Sequence, residues 1–422
     1  MRNGKFINTV IELQNHPRWD EFPSKIEDNV ASHSFRVAVY TLIASLLENK
    51  MFGEEIDATK AVCRAVFHDI KKTKTGPINY NTKKDPEVAD IIKDLETESA
   101  EEIVSYLPES LQAIFRDFVV SAEDDTTEGR LIDAIDTFDS YMYCHRENLY
   151  SSVGVMEAYM DIIKEYLPED VASKAEKAFE ERMNQFQQDH HHATYFLRTY
   201  KRLKEELLNS EFESVRWLVR QVEEKTECYQ FLMNVMNMDT VRRWKGKFNM
   251  IHDDDAIHGI RSTSIAIYNA YLEKEVYGID VDVFQVAAKM LGHDLVEGIT
   301  GDVLGPVKHS TPERKAAFER YEKYISEKMV HWLPQELRGE FHEYMVNAKS
   351  SDYEGYLVSV SDKLDALVKT NLERLRSNSI EQKIDYYDQL KGIKMKFDNP
   401  STVDFIAYIL SDMEYQIFDN RL

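Results

Sequence analysis

Cysteine is scarce in this chain: Cys63, Cys144 and Cys228 are the only three in 422 residues, and no two stand in a CxxC spacing. A disulfide framework and a thiolate zinc site are thereby excluded, so the chemistry falls to other side chains. Proline and glycine are sparse as well, at 10 and 15, which leaves long segments without turn signals. No apolar run approaches the roughly 20 residues that cross a bilayer, and the opening MRNGKFINTVIELQNHPRWD lacks a signal-peptide core. The expectation is a cytoplasmic protein with no membrane contact. A basic excess is missing too: the formal charge is −23, which opposes wide contact with a phosphate backbone, so no stable nucleic-acid binding is expected.

What is present is a globular composition, 43% apolar and 30% charged with both signs mixed. The alternation of strands is rare and helical spacing is common. Val62, Ala65, Val66 and Ile70 follow an i, i+3, i+4, i+8 stripe, as do Ala287, Met290, Leu291 and Leu295. The chain reads as all-α.

Laid on itself, the sequence repeats. Arg18-Trp19 matches Arg243-Trp244, His33 matches His258, Arg36 matches Arg261, and His68-Asp69 matches His293-Asp294, all at an offset of 225. After a one-residue insertion, YLPESL (106–111) aligns with WLPQEL (332–337), and DTFD (136–139) with DKLD (362–365), at 226. The reading is two tandem helical modules, 1–205 and 226–422, with 206–225 as a helical linker. The register also discards Asp133, which aligns with Ser359, and keeps Asp136 with Asp362 and Asp139 with Asp365.

Imidazoles and carboxylates bind hydrolytic divalent metals such as Mn, Co, Fe, Zn or Ni, and three or four ligands leave positions open for water. Each module supplies such a set: His33, His68, Asp69 and Asp136 in the first, His258, His293, Asp294 and Asp362 in the second. Ligands so far apart in sequence must come from separate helices packed together.

The series H…HD…D resembles the HD-domain superfamily of metal-dependent phosphohydrolases, and each half resembles a bacterial 5′-deoxynucleotidase. The resemblance rests on the Arg-Trp pair fifteen residues before the first His, on HDxxE, on a TGD…PVK segment and on a late Asp in LVxxxDxLxAxxK. The second module shows all of these, as RRW (242–244), IHGIRS (257–262), GHDLVEGITGDVLGPVK (292–308) and YLVSVSDKLDALVK (356–369). It implies removal of the 5′-phosphate from deoxyribonucleoside monophosphates with a divalent metal. Carried over residue by residue, it makes Asp136 and Asp362 the ligands rather than their neighbours three residues later. Glu297 and Asp302 then stand beside the reacting phosphate, and Arg243 and Trp244, or Arg18 and Trp19, contact substrate.

Residue chemistry agrees with those roles. Glu297 follows His293 by four residues and shares its face on a continuing helix; Asp302 lies past Gly298 and Gly301, where the backbone turns back. A guanidinium such as Arg243 pairs well with phosphate oxygens, and Arg261 and Lys308 are weaker candidates for the same contact. A triphosphohydrolase, a cyclic-nucleotide phosphodiesterase and a non-catalytic nucleotide sensor stand as alternatives.

The first module departs from the pattern, with Lys72 where Glu297 stands and Pro77 where Asp302 stands. The second module is therefore expected to dominate turnover, since general acid–base catalysis contributes about 10²–10⁴ in rate. An effector site drawing on Lys71, Lys72 and Lys74, slow hydrolysis and a purely interfacial role remain open for the first. By analogy with dimers of single-module relatives, the fusion reads as a pseudo-dimer within one chain. The run His190-His191-His192 is expected to be a surface run, and Asp253-Asp254-Asp255 a helix cap.

Overall fold

The computed structural model describes residues 4–413 apart from 23, 84, 152–158, 161, 190–193, 309 and 379. Six helices carry the repeated motifs, and each pair starts on the same kind of cap. In the first module they are α1 (Val30–Leu47), α2 (Ala58–Phe67) and α3 (Thr127–Leu149). Their counterparts are α4 (Asp255–Glu275), α5 (Val283–Gly292) and α6 (Tyr353–Leu375). The side chains of Asn29 and Asp254 accept from the N–H of Ser32 and Ile257, both at 2.9 Å. Asp57 and Asp282 cap α2 and α5, while Thr126 and Asp352 cap α3 and α6. Each cap satisfies one of the N–H groups that a helix start leaves without a partner, typically worth about 1 kcal/mol.

The all-α reading holds. Among the described residues the only strands are Pro17–Arg18 and Asp28–Asn29, an antiparallel pair, which the second module reduces to a bridge between Arg242 and Asp254. This pairing matters for position, because it fastens each Arg-Trp segment to the start of the helix bearing the first histidine.

One expectation needs correction. The segment Val30–Phe52 is long and apolar enough to cross a membrane, yet Val30–Leu47 is buried throughout. It is a core helix shared by both modules. Gly259 of α4 lies so close to α1 that a Cβ there would stand 2.4 Å from the Phe35 ring. Tyr40 of α1 donates to the Leu232 carbonyl at 3.0 Å, and Phe6 stacks on Tyr268 at 6.5 Å, so the helix Lys5–Glu12 packs on α4 and the helix Glu227–Asn237 on α1. Buried apolar side chains of both copies form a single continuous cluster.

Within the stretch 206–225 one helix runs from Glu213 to Glu223. Glu213–Glu223 buries Val215, Leu218, Val219 and Val222, each contributing about 2 kcal/mol, and its Ser214 N–H donates to Glu48 of the first module at 2.7 Å. It is packed rather than spanning free space.

Candidate functional site

In the second module α5 ends at Gly292, which leaves His293 and Asp294 on the turn that follows. His293 Nδ1 lies 2.7 Å from the Met290 carbonyl; a carbonyl only accepts, so this nitrogen carries a proton and Nε2 is the ring's remaining ligand position. One turn into α4, His258 is set the same way by Asp365, 2.7 Å from its Nδ1. Both Nε2 atoms face one point, where each would offer a lone pair to a cation in place of a proton, an arrangement typical of metal-ligating imidazoles with a carboxylate or carbonyl behind them.

His258, His293 and Asp294 each place a ligand atom within 4.8 Å of the others. Asp294 Oδ2 stands 3.4 Å from His258 Nε2 and 3.1 Å from His293 Nε2, but both nitrogens are buried without a hydrogen bond. Asp362 stands at the edge, with Oδ1 3.6 Å from His258 Nε2 and Oδ2 bonded to Lys349 at 2.7 Å and Lys363 at 3.3 Å. Two buried, unsatisfied nitrogens flanked by carboxylates fit a divalent cation by donor type and by the need to satisfy them. Asp362 would complete the set once its ammonium partners yield.

Around this point the acids are in excess. Burial, with Asp294 and Asp255 close by, raises Glu297 well above the usual carboxylate range. Burial and Asp294 likewise push Asp255 up to about 7, against the pull of Arg243. One oxygen of each, Glu297 Oε2 and Asp255 Oδ2, is buried without a hydrogen bond. By contrast, Asp294 lies well below the usual range despite its burial, because His293 and His258 favour its charged form. Burial and Arg243 oppose the charging of His258, yet Asp294 and Asp365 hold it at about 9.

The expected substrate residues divide. Arg243 reaches into the cluster, 3.0 Å from Asp255 and 3.4 Å from Asp294. Next to it, Trp244 has φ 58°, a left-handed conformation that costs a bulky residue of order 1–3 kcal/mol, and its Nε1 donates to Asp253 at 2.9 Å. Asp302 follows Gly301, whose φ is 70°, and its charge is felt at Glu297. Arg261 is placed otherwise than expected: its guanidinium is buried and saturated by Asp365, Asp253 and Gln14, so it braces the cluster from behind. Lys308 is paired with Glu322 at 2.6 Å.

Sequence reasoning missed two groups here. Lys349 carries no motif, and its aligned partner is Glu123, so the repeat gave no signal. In the Asp253-Asp254-Asp255 run only the middle residue caps α4. Asp255 joins the acids and Asp253 binds Arg261 and Trp244, a role its alignment with Asp28 signals, since Asp28 binds Arg36 at 3.0 Å.

The first module repeats the frame. His33 Nδ1 faces Asp139 at 2.7 Å and His68 Nδ1 faces the Ala65 carbonyl at 2.8 Å; His33, His68 and Asp69 again cluster within 4.8 Å. Asp136 Oδ1 is 3.1 Å from His33 Nε2. The surroundings differ. Lys72 lies 2.5 Å from Asp69 Oδ2, and Lys71 lies 3.0 Å from Glu123. Arg18 bonds Ser140 at 3.2 Å and approaches Asp28, where Arg243 enters its cluster. Trp19, also left-handed at φ 60°, stacks on Tyr143 at 5.2 Å with a 1° interplanar angle, so that face is already covered. His190-His191-His192 lie outside the described residues.

Comparison with known proteins sets this geometry in a family. The sequence profile described as 5′-deoxynucleotidase YfbR-like matches residues 5–166 and again 230–413. A 5′-deoxynucleotidase of Vibrio vulnificus is 30% identical over 151 residues, 35% of this chain and 76% of the relative. One from Vibrio cholerae is 27% identical over 151 residues with the same coverage, 35% and 76%. The crystal structure of an HD-domain phosphohydrolase from Listeria innocua is 26% identical, covers 44% of this chain and 88% of its own, and superposes with a TM-score of 0.41. Matched twice along most of its length, the chain belongs to the YfbR-like 5′-deoxynucleotidase family of hydrolases.

Proposed function

We propose that this protein removes the 5′-phosphate from deoxyribonucleoside monophosphates, and that the second module does so. The observation that carries the reading is the pair of buried, unsatisfied Nε2 atoms of His258 and His293 beside Asp294, with a raised acid, Glu297, next to them. A divalent cation held by His258, His293, Asp294 and Asp362 would supply Lewis-acid chemistry, drawing charge off phosphate oxygens and making water a competent nucleophile at neutral pH.

The chain's own residues do the rest. Arg243 donates from Nη1 towards the acids of the cluster, and a phosphate entering there exchanges carboxylate partners for its own oxygens, in paired charge-assisted bonds. Lys349, drawn to Asp362, offers a second cation. Glu297 holds a proton where burial and neighbouring carboxylates disfavour its loss, which suits it to protonate the departing O5′ as the phosphorus–oxygen bond breaks. Asp302 is the second acid for proton exchange with solvent. Trp244, held rigid by Asp253, presents a flat surface to base or sugar.

A panel of deoxynucleoside monophosphates, ribonucleoside monophosphates and deoxynucleoside triphosphates, incubated with Mn²⁺ or Co²⁺, tests the reading by product. Inorganic phosphate from the deoxy monophosphates is the expected result. Release of tripolyphosphate from the triphosphates, with none from monophosphates, would replace it by the triphosphohydrolase alternative.

A further inference from the structure

The two clusters share a frame but not a charge. Val30, Lys72 and Pro77 stand in the first module where Asp255, Glu297 and Asp302 stand in the second, and Glu123 stands where Lys349 does. Three acids have been lost from one site, and a lysine and an acid have changed places across it.

The geometry shows what the exchange does. Lys72 Nζ lies 2.5 Å from Asp69 Oδ2, the same oxygen that stands 3.4 Å from His33 Nε2 and 3.5 Å from His68 Nε2. An ammonium thus holds the carboxylate oxygen that the two imidazoles share. His33 Nε2 is 3.4 Å from His68 Nε2 and 3.1 Å from Asp136. The remaining lysines are spoken for: Lys71 by Glu123 at 3.0 Å, and Lys74 by Glu102 at 2.9 Å. Asp69 and Glu123 are therefore paired with Lys72 and Lys71, whereas the second cluster keeps the additional acids Glu297 and Asp255 beside Asp294. The same pairing removes the free cations that a polyphosphate effector would need.

We propose that Lys72 is the resident cation of the first module, so that its four ligand-type residues take no divalent metal and each chain binds one ion, at the second module. This inference rests on the proposed metal site at His258, His293, Asp294 and Asp362. An ammonium gives a fixed single charge without open coordination positions, so the first module keeps the architecture of the site and none of its Lewis acidity.

Metal content settles it without reference to turnover. The full chain, stripped with chelator, is dialysed against Co²⁺ or Mn²⁺, and bound metal is counted by plasma mass spectrometry, with Co²⁺ absorption as a second readout. One ion per chain is expected for the wild type and for His33→Ala, and none for His258→Ala. Lys72→Ala and Lys72→Glu should each bind two, with thermal melting confirming that they fold. Two ions in the wild type, or one ion in both folded Lys72 variants, would overturn the proposal. A wild type that binds none would remove the metal reading of the second module itself, and this inference with it.

Discussion

Glu297 shows how a single side chain trades stability for chemistry. It lies buried beside Asp294 and Asp255 with one oxygen unsatisfied, a placement that costs the fold and suits proton transfer. Replacing it by Gln keeps the shape and removes the acid. Glu297→Gln should lower kcat by about 10²–10⁴ and raise the melting temperature, a pair of shifts that steady-state kinetics and calorimetry read separately. Unchanged kcat would show that the proton comes from elsewhere. Asp365 acts one bond further back, orienting His258 through Nδ1 at 2.7 Å while Arg261 grips its other oxygen at 2.8 Å. Asp365→Asn should weaken metal binding about 10–100-fold, as loss of such support does elsewhere, measured by calorimetric titration. Equal affinity in the variant would reduce Asp365 to a structural partner of Arg261.

At the scale of elements, the caps, the turns and the helix contacts explain what could be read beforehand. Residues at fixed offsets gave the modules, the helices and the two histidine clusters, because a duplicated motif exposes which polar residues recur. Asp136 and Asp362 were separable from Asp139 and Asp365 by family resemblance alone; the structure puts the former pair near Nε2 and the latter on Nδ1. What stayed hidden depends on contacts between copies. The burial of α1 on every side comes from α4 and the helices around it, so apolar residues fall all round it and carry no amphipathic signal. Lys349 was invisible because its counterpart is an acid, and Arg261 was misplaced because helix periodicity cannot tell a face towards substrate from a face towards Asp365. The close approach of Gly259 in α4 to Phe35 in α1 gives a direct check. Gly259→Ala forces the ring to move within a filled core, so unfolding in denaturant should show a loss of about 1–3 kcal/mol. A neutral result would mean that α1 and α4 can separate freely.

For the whole molecule, the two modules are bound by reciprocal polar contacts as well as by a common core. Arg36 reaches Asp239 at 3.2 Å, while its aligned partner Arg261 reaches Gln14, the residue aligned with Asp239, at 3.3 Å. Each of these recipients lies four residues before an Arg-Trp segment, so either site is braced in part by the other copy. Arg146 adds two bonds to Asp239, at 2.8 and 2.7 Å. Nearby, His145 meets Tyr229 across the same junction at 3.0 Å, and burial lowers its pKa from 6.5 to about 4. Between those values the unfolded chain binds a proton that the folded chain refuses. The stability it contributes is therefore complete above pH 6.5 and lost as pH falls towards 4, by up to about 3 kcal/mol at 1.36 kcal/mol per pKa unit. His145→Gln should show a smaller loss between pH 7 and pH 4.5 in urea unfolding; an identical loss would assign the acid sensitivity to other groups.

The central claim is that phosphate release belongs to the second cluster and not to the first. It is tested most directly by phosphate release from a deoxynucleoside monophosphate with Mn²⁺ or Co²⁺, comparing His293→Ala with His68→Ala at matched folding. The account requires His293→Ala to lose activity to the level of the blank while His68→Ala keeps most of the wild-type rate. Activity that survives in His293→Ala, or vanishes in His68→Ala alone, would contradict it.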